Sequence, residues 1–215
     1  MLCLLCRSDR TRLFWTKPSG PQKNREYVLC ETCFLIFVPP HQHLSLTEQK
    51  TFYDHHQNHP EDAGYVRHLQ QLTNPLQNLI EPGQSGLDYG SGPGPTLGTI
   101  LQKQGLIVKN YDPVYAPQTE LLQTDYDFVT CTEVVEHFSN PHADWKTLLG
   151  LVKPDGILGV MTQQRPNDSD FADWWYHRDV THVCFYHEQT FSWLAKNLNL
   201  KILFQKNPVV IFCKK

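Results

Sequence analysis

The chain of 215 residues carries 19 Lys plus Arg against 22 Asp plus Glu, a formal net charge of −3 with a pI near 6.4. That length suits one α/β domain of ordinary size with a small appendage, and the mild acidity gives no general electrostatic reason to hold nucleic acid or an anionic membrane. No apolar run reaches the ~18 residues of a membrane span, and Cys3, Cys6 and Arg7 interrupt the region where a signal peptide needs an apolar core, so a cytosolic location is expected.

Cysteine usage organises the N-terminal segment. Four of the seven cysteines form two C-x-x-C pairs, Cys3/Cys6 and Cys30/Cys33, separated by 23 residues that include the turn-rich run Pro18-Ser19-Gly20-Pro21. In a reducing compartment an odd count with this pairing argues for metal rather than disulfides. The spacing is that of a zinc ribbon: two knuckles present four thiolates to one Zn²⁺, with no coordination position left for chemistry, so the ion is structural. A rubredoxin-type iron site uses the same four ligands; zinc is preferred, and a colourless rather than a red protein distinguishes them. Short strands are expected at Tyr27–Leu29 and Phe34–Val38, the second ended by Pro39-Pro40. Residues 1–44 therefore read as a zinc-ribbon-like element.

Residues 45–80 read as a helical linker or lid. Ser45 and Glu48 make a capping-box start, and a second helix is expected from Tyr65 to Leu79, with Leu69, Leu72, Leu76 and Leu79 on one face and a boundary at Pro75. Between the helices, His55, His56 and His59 join His41 and His43 in a histidine-rich stretch. Its spacing matches no ligand pattern, so these residues read as exposed or substrate-facing.

Residues 81–215 carry the main α/β pattern. Ser85–Tyr89 ends as a strand in the run Gly90-Ser91-Gly92-Pro93-Gly94, and Leu97, Ile100 and Leu101 follow at helical spacing after Pro95. Glycines at a strand-to-helix turn permit positive φ and let a ligand approach the backbone. Pro95 stands where the dinucleotide fingerprint needs Gly or Ala, which argues against NAD and FAD. A second strand ends at Asp112, 18 residues after Gly94, where a carboxylate can accept hydrogen bonds from ribose hydroxyls. Thirteen residues then separate Asp112 from the strand Tyr126–Thr132, so any strand and helix between them must be abbreviated, and Asp125 is the acidic residue that stands there. A helix over 141–151, a strand over Ile157–Thr162, a helix around Phe191–Leu198 and a hairpin joining Lys201–Phe204 to Val209–Cys213 complete the pattern.

These motifs resemble the class I S-adenosylmethionine-dependent methyltransferases. Asp88 before Gly90, Gly92 and Gly94 is similar to their motif I, Glu133-Val134-Val135-Glu136-His137 to the E-V-x-E-H stretch after their fourth strand, and Lys153-Pro154-Asp155-Gly156 to their L-K-P-G-G turn. The whole order, with the two knuckles ahead of it and Thr181-His182-Val183-Cys184-Phe185-Tyr186 after it, is like a group of bacterial zinc-ribbon methyltransferases. The resemblance implies a Rossmann-like, mostly parallel sheet with a terminal antiparallel hairpin, and S-adenosylmethionine held by Asp88, the three glycines, Asp112, Thr132 and Glu133. It also implies an acidic residue for adenine at a third strand, for which Asp125 is the candidate, and a lid over the cofactor near residues 53–58.

The cofactor's methyl group is already activated, so the protein must chiefly align a nucleophile and exclude water. Polar residues concentrate after the fourth and fifth strands, where ligands of an open parallel sheet bind. The aromatic and histidine-rich run Asp170–His187 reads as a substrate loop. His182 is the preferred base with His137 second, Asp179 orienting the imidazole. The expected partner is a small-molecule acceptor methylated at oxygen, carbon or nitrogen. An RNA substrate read by the ribbon, with Trp15 and the aromatics of the 170s stacking bases, and a non-catalytic cofactor-binding or docking protein are the alternatives.

Overall fold

A computed structural model of the protein describes residues 1–53 and 61–215. The histidines at 55, 56 and 59 and the expected lid at 54–58 lie outside the described residues.

The larger sheet has six strands in the order β5 (Ile107–Tyr111), β4 (Ser85–Tyr89), β6 (Tyr126–Thr132), β7 (Val152–Met161), β10 (Val209–Lys214) and β9 (Leu200–Lys206). The β5, β4, β6 and β7 pairings are parallel, whereas β10 runs antiparallel between β7 and β9. The expected terminal hairpin is present, its second strand inserted inside the edge and β9 outermost. Both faces of this sheet are covered, so its strands read as apolar runs rather than clean alternations. Phe128, Met161, Val209 and Ile211 point to one core with Leu69, Leu72 and Leu76 of α2 (Ala63–Leu76) and Leu97 and Leu101 of α3 (Thr96–Gln102). Val129, Val160, Val210 and Phe212 point to the other, with Trp145 of α4 (Pro141–Gly150) and Phe191 of α5 (Glu188–Asn197).

Local signals account for most element ends. Ser45 and Glu48 exchange the expected capping-box hydrogen bonds ahead of α1 (Leu46–Tyr53). Asp62 caps α2 by accepting from the backbone of Gly64 and Tyr65. Pro75 sits in the last turn of α2, and Leu79 falls outside the helix, 36% exposed. Pro95 caps α3 rather than opening its first turn. Between β5 and β6 there is a 3-10 turn at Thr119–Gln123 and no strand, so the abbreviation is complete. Asp125 is exposed just ahead of the N-terminal end of β6, at the opposite end of that strand from the loops that bind ligands. The expectation that it contacts adenine is corrected on that ground.

The smaller sheet is where sequence reading fell short. β1 (Thr11–Thr16) pairs with β2 (Glu26–Cys30), β2 with β3 (Ile36–Phe37), and β3 with β8 (Cys184–Phe185), all antiparallel. Two of these strands, β1 and β8, carry no clear apolar alternation, and β8 comes from the run read as the substrate loop. The division expected at residue 44 falls between β3 and α1, yet packing across it is continuous: Tyr27, Ile36 and Phe37 share one core with Phe171, Phe185, Trp145 and Val160.

Candidate functional site

A cleft of roughly 790 Å³ opens at the carboxyl ends of the parallel strands. Its walls bring together almost every residue that the sequence singles out there: Asp88, the three glycines, Asp112, Thr132 and Glu133 on one side, His137, Asp179 and His182 on the other.

The glycine loop forms the first half. Gly90 and Gly92 hold φ of +79° and +65°, the left-handed region that side chains resist, while Gly94 does not require it. The Gly90 and Ser91 amides donate to the Tyr111 carbonyl at 2.7 and 3.1 Å. Asp112 braces the loop, its Oδ2 accepting from the Gly92 amide at 3.1 Å and its Oδ1 from the Val114 and Tyr115 amides at 2.8 and 2.9 Å. A Cβ at Gly90 would lie 2.3 Å from Val134 Cγ2. Gly90→Ala is therefore expected to cost about 1–3 kcal/mol of stability and to weaken cofactor binding, as read by thermal melts and calorimetry. Ser91 Oγ is buried and finds no partner among the described residues.

Asp88 lies beneath this loop, 2% exposed, accepting from Thr130 Oγ1 at 2.9 Å. Burial pushes its pKa up to about 7, against the lowering effect of that hydrogen bond.

The segment after β6 supplies the floor between the halves. Glu133, at φ +53°, accepts from Tyr176 Oη at 2.9 Å and meets His68 Nε2 of α2 at 3.2 Å. Glu136 is fully buried, its Oε1 lies 2.5 Å from the same Tyr176 hydroxyl, and its Oε2 has no partner among the described residues; since the single phenol proton goes to Glu133, the Glu136 carboxyl is the donor in this contact. Burial, followed by the Glu133 charge, raises Glu136 well above the usual carboxyl range. Burial opposes ionisation of Glu133 too, but hydrogen bonds from His68, Glu136 and Tyr176 hold it low. The pair thus keeps its proton on Glu136 and its charge on Glu133.

The histidines complete the second half. His182 Nδ1 contacts the Tyr176 carbonyl at 2.8 Å and His137 Nδ1 the Thr181 carbonyl at 3.2 Å. Since a carbonyl only accepts, both rings carry the proton on Nδ1 and present Nε2 as the basic nitrogen. Their centroids are 4.8 Å apart. Burial lowers both pKa values, that of His137 to about 3, so each imidazole is neutral at pH 7. Asp179 Oδ1 accepts from Thr181 N and Oγ1, and its Oδ2 stands 3.7 Å from His182 Nε2. Burial works against the Asp179 charge, while the His182 charge, once that ring is protonated, and the Thr181 hydrogen bonds favour it. One ligand atom each from Glu136, His137 and His182 lies within 4.8 Å of the others, a donor set able to hold a metal ion.

Sequence reasoning gave no role to Glu136, Tyr176 or His68. Tyr176 was one aromatic among many, and His68 stands beside the apolar stripe of α2, where nothing local marks it as a cleft residue. The stacking surface expected of Trp15 and Trp174 is largely used inside the protein: Trp15 packs on Tyr27, Phe171 and His177, and Trp174 on Phe171, Tyr176 and Phe185. Trp175, 58% exposed, is the large aromatic at the cleft mouth.

Away from the cleft, the four ribbon cysteines converge. Cys3 Sγ and Cys33 Sγ are 3.5 Å apart, as are Cys6 Sγ and Cys30 Sγ, and all four sulfurs lie within 4.8 Å of one another. These separations exceed a disulfide's ~2.05 Å and suit four sulfurs around one ion at ~2.3 Å.

A parallel α/β sheet with a glycine-rich first loop and a cleft beyond its strand ends defines the Rossmann-like class of nucleotide-cofactor proteins. Within it, the chain belongs to the methyltransferase-domain family, whose model matches residues 53–205. The ribbon lies ahead of that match. Among curated proteins, it is 29% identical to the ubiquinone biosynthesis O-methyltransferase of Coxiella burnetii over 157 residues, 60% of this chain and 66% of that one. The Histophilus somni protein of the same name is 27% identical over 128 residues, 46% of this chain and 51% of that one. The chain thus spans between half and two thirds of these relatives. The fold is similar to Burkholderia thailandensis 1,6-didemethyltoxoflavin-N1-methyltransferase, solved with its namesake compound and S-adenosylhomocysteine (TM-score 0.54, 12% identity, 93% of this chain and 100% of that one). It is also similar to magnesium protoporphyrin IX methyltransferase from Synechocystis with bound S-adenosylmethionine (TM-score 0.50, 16% identity, 79% and 90%).

Proposed function

We propose that the protein transfers a methyl group from S-adenosylmethionine to a small-molecule acceptor bearing a removable proton. The carrying observation is that one cleft has a braced glycine loop above Asp88 on one side and two neutral imidazoles on the other. The residues present suit the cofactor: the glycine loop, with Gly90 and Gly92 in the left-handed region, lines the cleft, and Ser91 Oγ is buried without a partner among the described residues. Asp88, Gly90, Gly92, Gly94, Asp112, Thr132 and Glu133 would hold it. Bound there, the cofactor supplies a sulfonium-activated methyl group. His182 Nε2 takes up the acceptor's proton, Asp179 stabilises the imidazolium that results, and His137 stands as the second base.

Charge supports a small acceptor over RNA. Six carboxyl groups line the cleft and, among the described residues, no Lys or Arg does, so a polyanion finds no counter-charge there. The relatives named as O-methyltransferases favour an oxygen nucleophile. The all-sulfur donor set of Cys3, Cys6, Cys30 and Cys33 suits a structural Zn²⁺. Seven free cysteines accord with a cytosolic setting, and among the described residues no helix is long and apolar enough to cross a membrane.

Calorimetric titration with S-adenosylmethionine tests the reading. Micromolar binding is expected, weakened at least tenfold in Asp112→Asn, which loses the charge and keeps only one of the two oxygens that accept from the loop amides. No binding by folded wild-type protein would refute the proposal. Asp88 adds a pH signature. With a pKa near 7 it is largely protonated below that pH and must ionise to face a cationic cofactor. Binding should release a proton, and affinity should fall about tenfold per pH unit below 6 while levelling off above 8. Titrations in buffers of different ionisation enthalpy would reveal the proton, and a flat profile would remove Asp88 from this role.

A further inference from the structure

We propose that the cysteine ribbon is a working part of the acceptor half of the site, and that Arg25 is the positioning residue through which it sets the His182 backbone and ring. The juxtaposition is direct. Arg25 Nη2 donates to the His182 carbonyl at 2.8 Å, bridging 157 positions of sequence. Neighbouring tethers run the same way: Gln22 Nε2 donates to the Arg178 carbonyl at 2.7 Å, Tyr27 Oη to the His177 carbonyl at 3.3 Å, and the Val38 amide to the Val183 carbonyl at 2.9 Å. The Val183 amide donates at 2.8 Å to the carbonyl of Glu136. The strand leading into β8 is therefore held between the ribbon and the segment that carries Glu136 and His137. The ribbon fixes one side of the histidine pair and the parallel sheet fixes the other.

Arg25 is poorly explained as a stabilising residue. It is 5% exposed, and its Nε and Nη1 have no hydrogen-bond partner among the described residues. One hydrogen bond, the Tyr27 ring 6.0 Å from its Cζ and the charge of Asp179 offset part of the desolvation cost of this guanidinium, and apolar replacements of buried charges are often neutral or stabilising. What the guanidinium does achieve is local. It fixes the peptide that follows the His182 ring, and its charge opposes protonation of that imidazole.

The inference rests on the methyltransferase reading for its meaning, but its test needs no ligand. Long-range ¹H–¹⁵N spectra of histidine rings would be compared in wild type, Arg25→Met and Arg25→Lys, as full-length zinc-loaded proteins. Wild type should show His182 as one neutral tautomer protonated at Nδ1. In Arg25→Met the two His182 ring-nitrogen shifts should converge by more than half their wild-type separation, while the thermal midpoint stays within about 3 °C. Arg25→Lys, which keeps a charged donor, should restore most of the pattern. An unchanged His182 pattern in folded Arg25→Met would overturn the proposal. So would collapse of both variants, which would make Arg25 a residue of the core. In parallel, S-adenosylhomocysteine affinity should agree within twofold across the three proteins. Absence of that binding in wild type would count against the cofactor reading alone and leave the ring signals to decide on Arg25.

Discussion

Cys30→Ser is expected to abolish metal retention and, with it, the order of the acceptor half, lowering the thermal midpoint by more than 10 °C. Binding free energies for structural zinc run to about 10–16 kcal/mol in small ribbons, and that energy is folding energy where a preformed site does not exist without the ion. Here the consequence spreads beyond the ribbon. Cys30 ends β2, and β2 carries Tyr27, whose ring packs on Trp15, Phe171, His177 and Phe185. Loss of the knuckle loosens that cluster and the β3 to β8 pairing. Near-ultraviolet circular dichroism reports the aromatic cluster and elemental analysis the metal. A variant that loses the ion yet keeps its aromatic signal and midpoint would show that packing alone holds the ribbon.

His182→Ala is expected to reduce methyl transfer by roughly a hundredfold or more while leaving cofactor affinity within about twofold. Of the two histidines, His182 faces Asp179, whose charge can stabilise the imidazolium formed when a proton is taken up. His137 is more strongly opposed to protonation, by desolvation and by its neighbour His182, so His137→Ala should have the smaller effect on the proton-transfer step. Transfer of labelled methyl from S-adenosylmethionine into a metabolite extract identifies the acceptor and provides the assay. Equal loss of cofactor affinity would make His182 a support of the cofactor half. Retained turnover would pass the base to His137 or to the Glu133/Glu136 pair.

Much of this was legible in the chain itself. The Asp88 to Gly94 run, the strand ending at Asp112, the E-V-V-E-H segment and the C-x-x-C pairs each place a chemical group by local rules: glycine for positive φ, a carboxylate at a strand tip, cysteines three positions apart on a knuckle. Such signals survive in one dimension because neighbours in sequence generate them. Asp125 misled for the same reason, since an acidic residue near the right position in sequence sits at the wrong end of its strand.

What only the tertiary structure decided is who meets whom across the chain. That the proton stays on Glu136 and the charge on Glu133 depends on His68 from α2 and Tyr176 from the segment ahead of β8, which are 65 and 43 positions from Glu133. β8 becomes a strand because the ribbon's edge offers it hydrogen bonds, not through any pattern in Cys184 and Phe185. Composition and spacing marked out a glycine-rich turn after a strand, two C-x-x-C pairs and a polar, aromatic run over 170–187. Burial and long-range hydrogen bonding, which change pKa values and create partners only after the chain has closed on itself, decided that the last two are one structure.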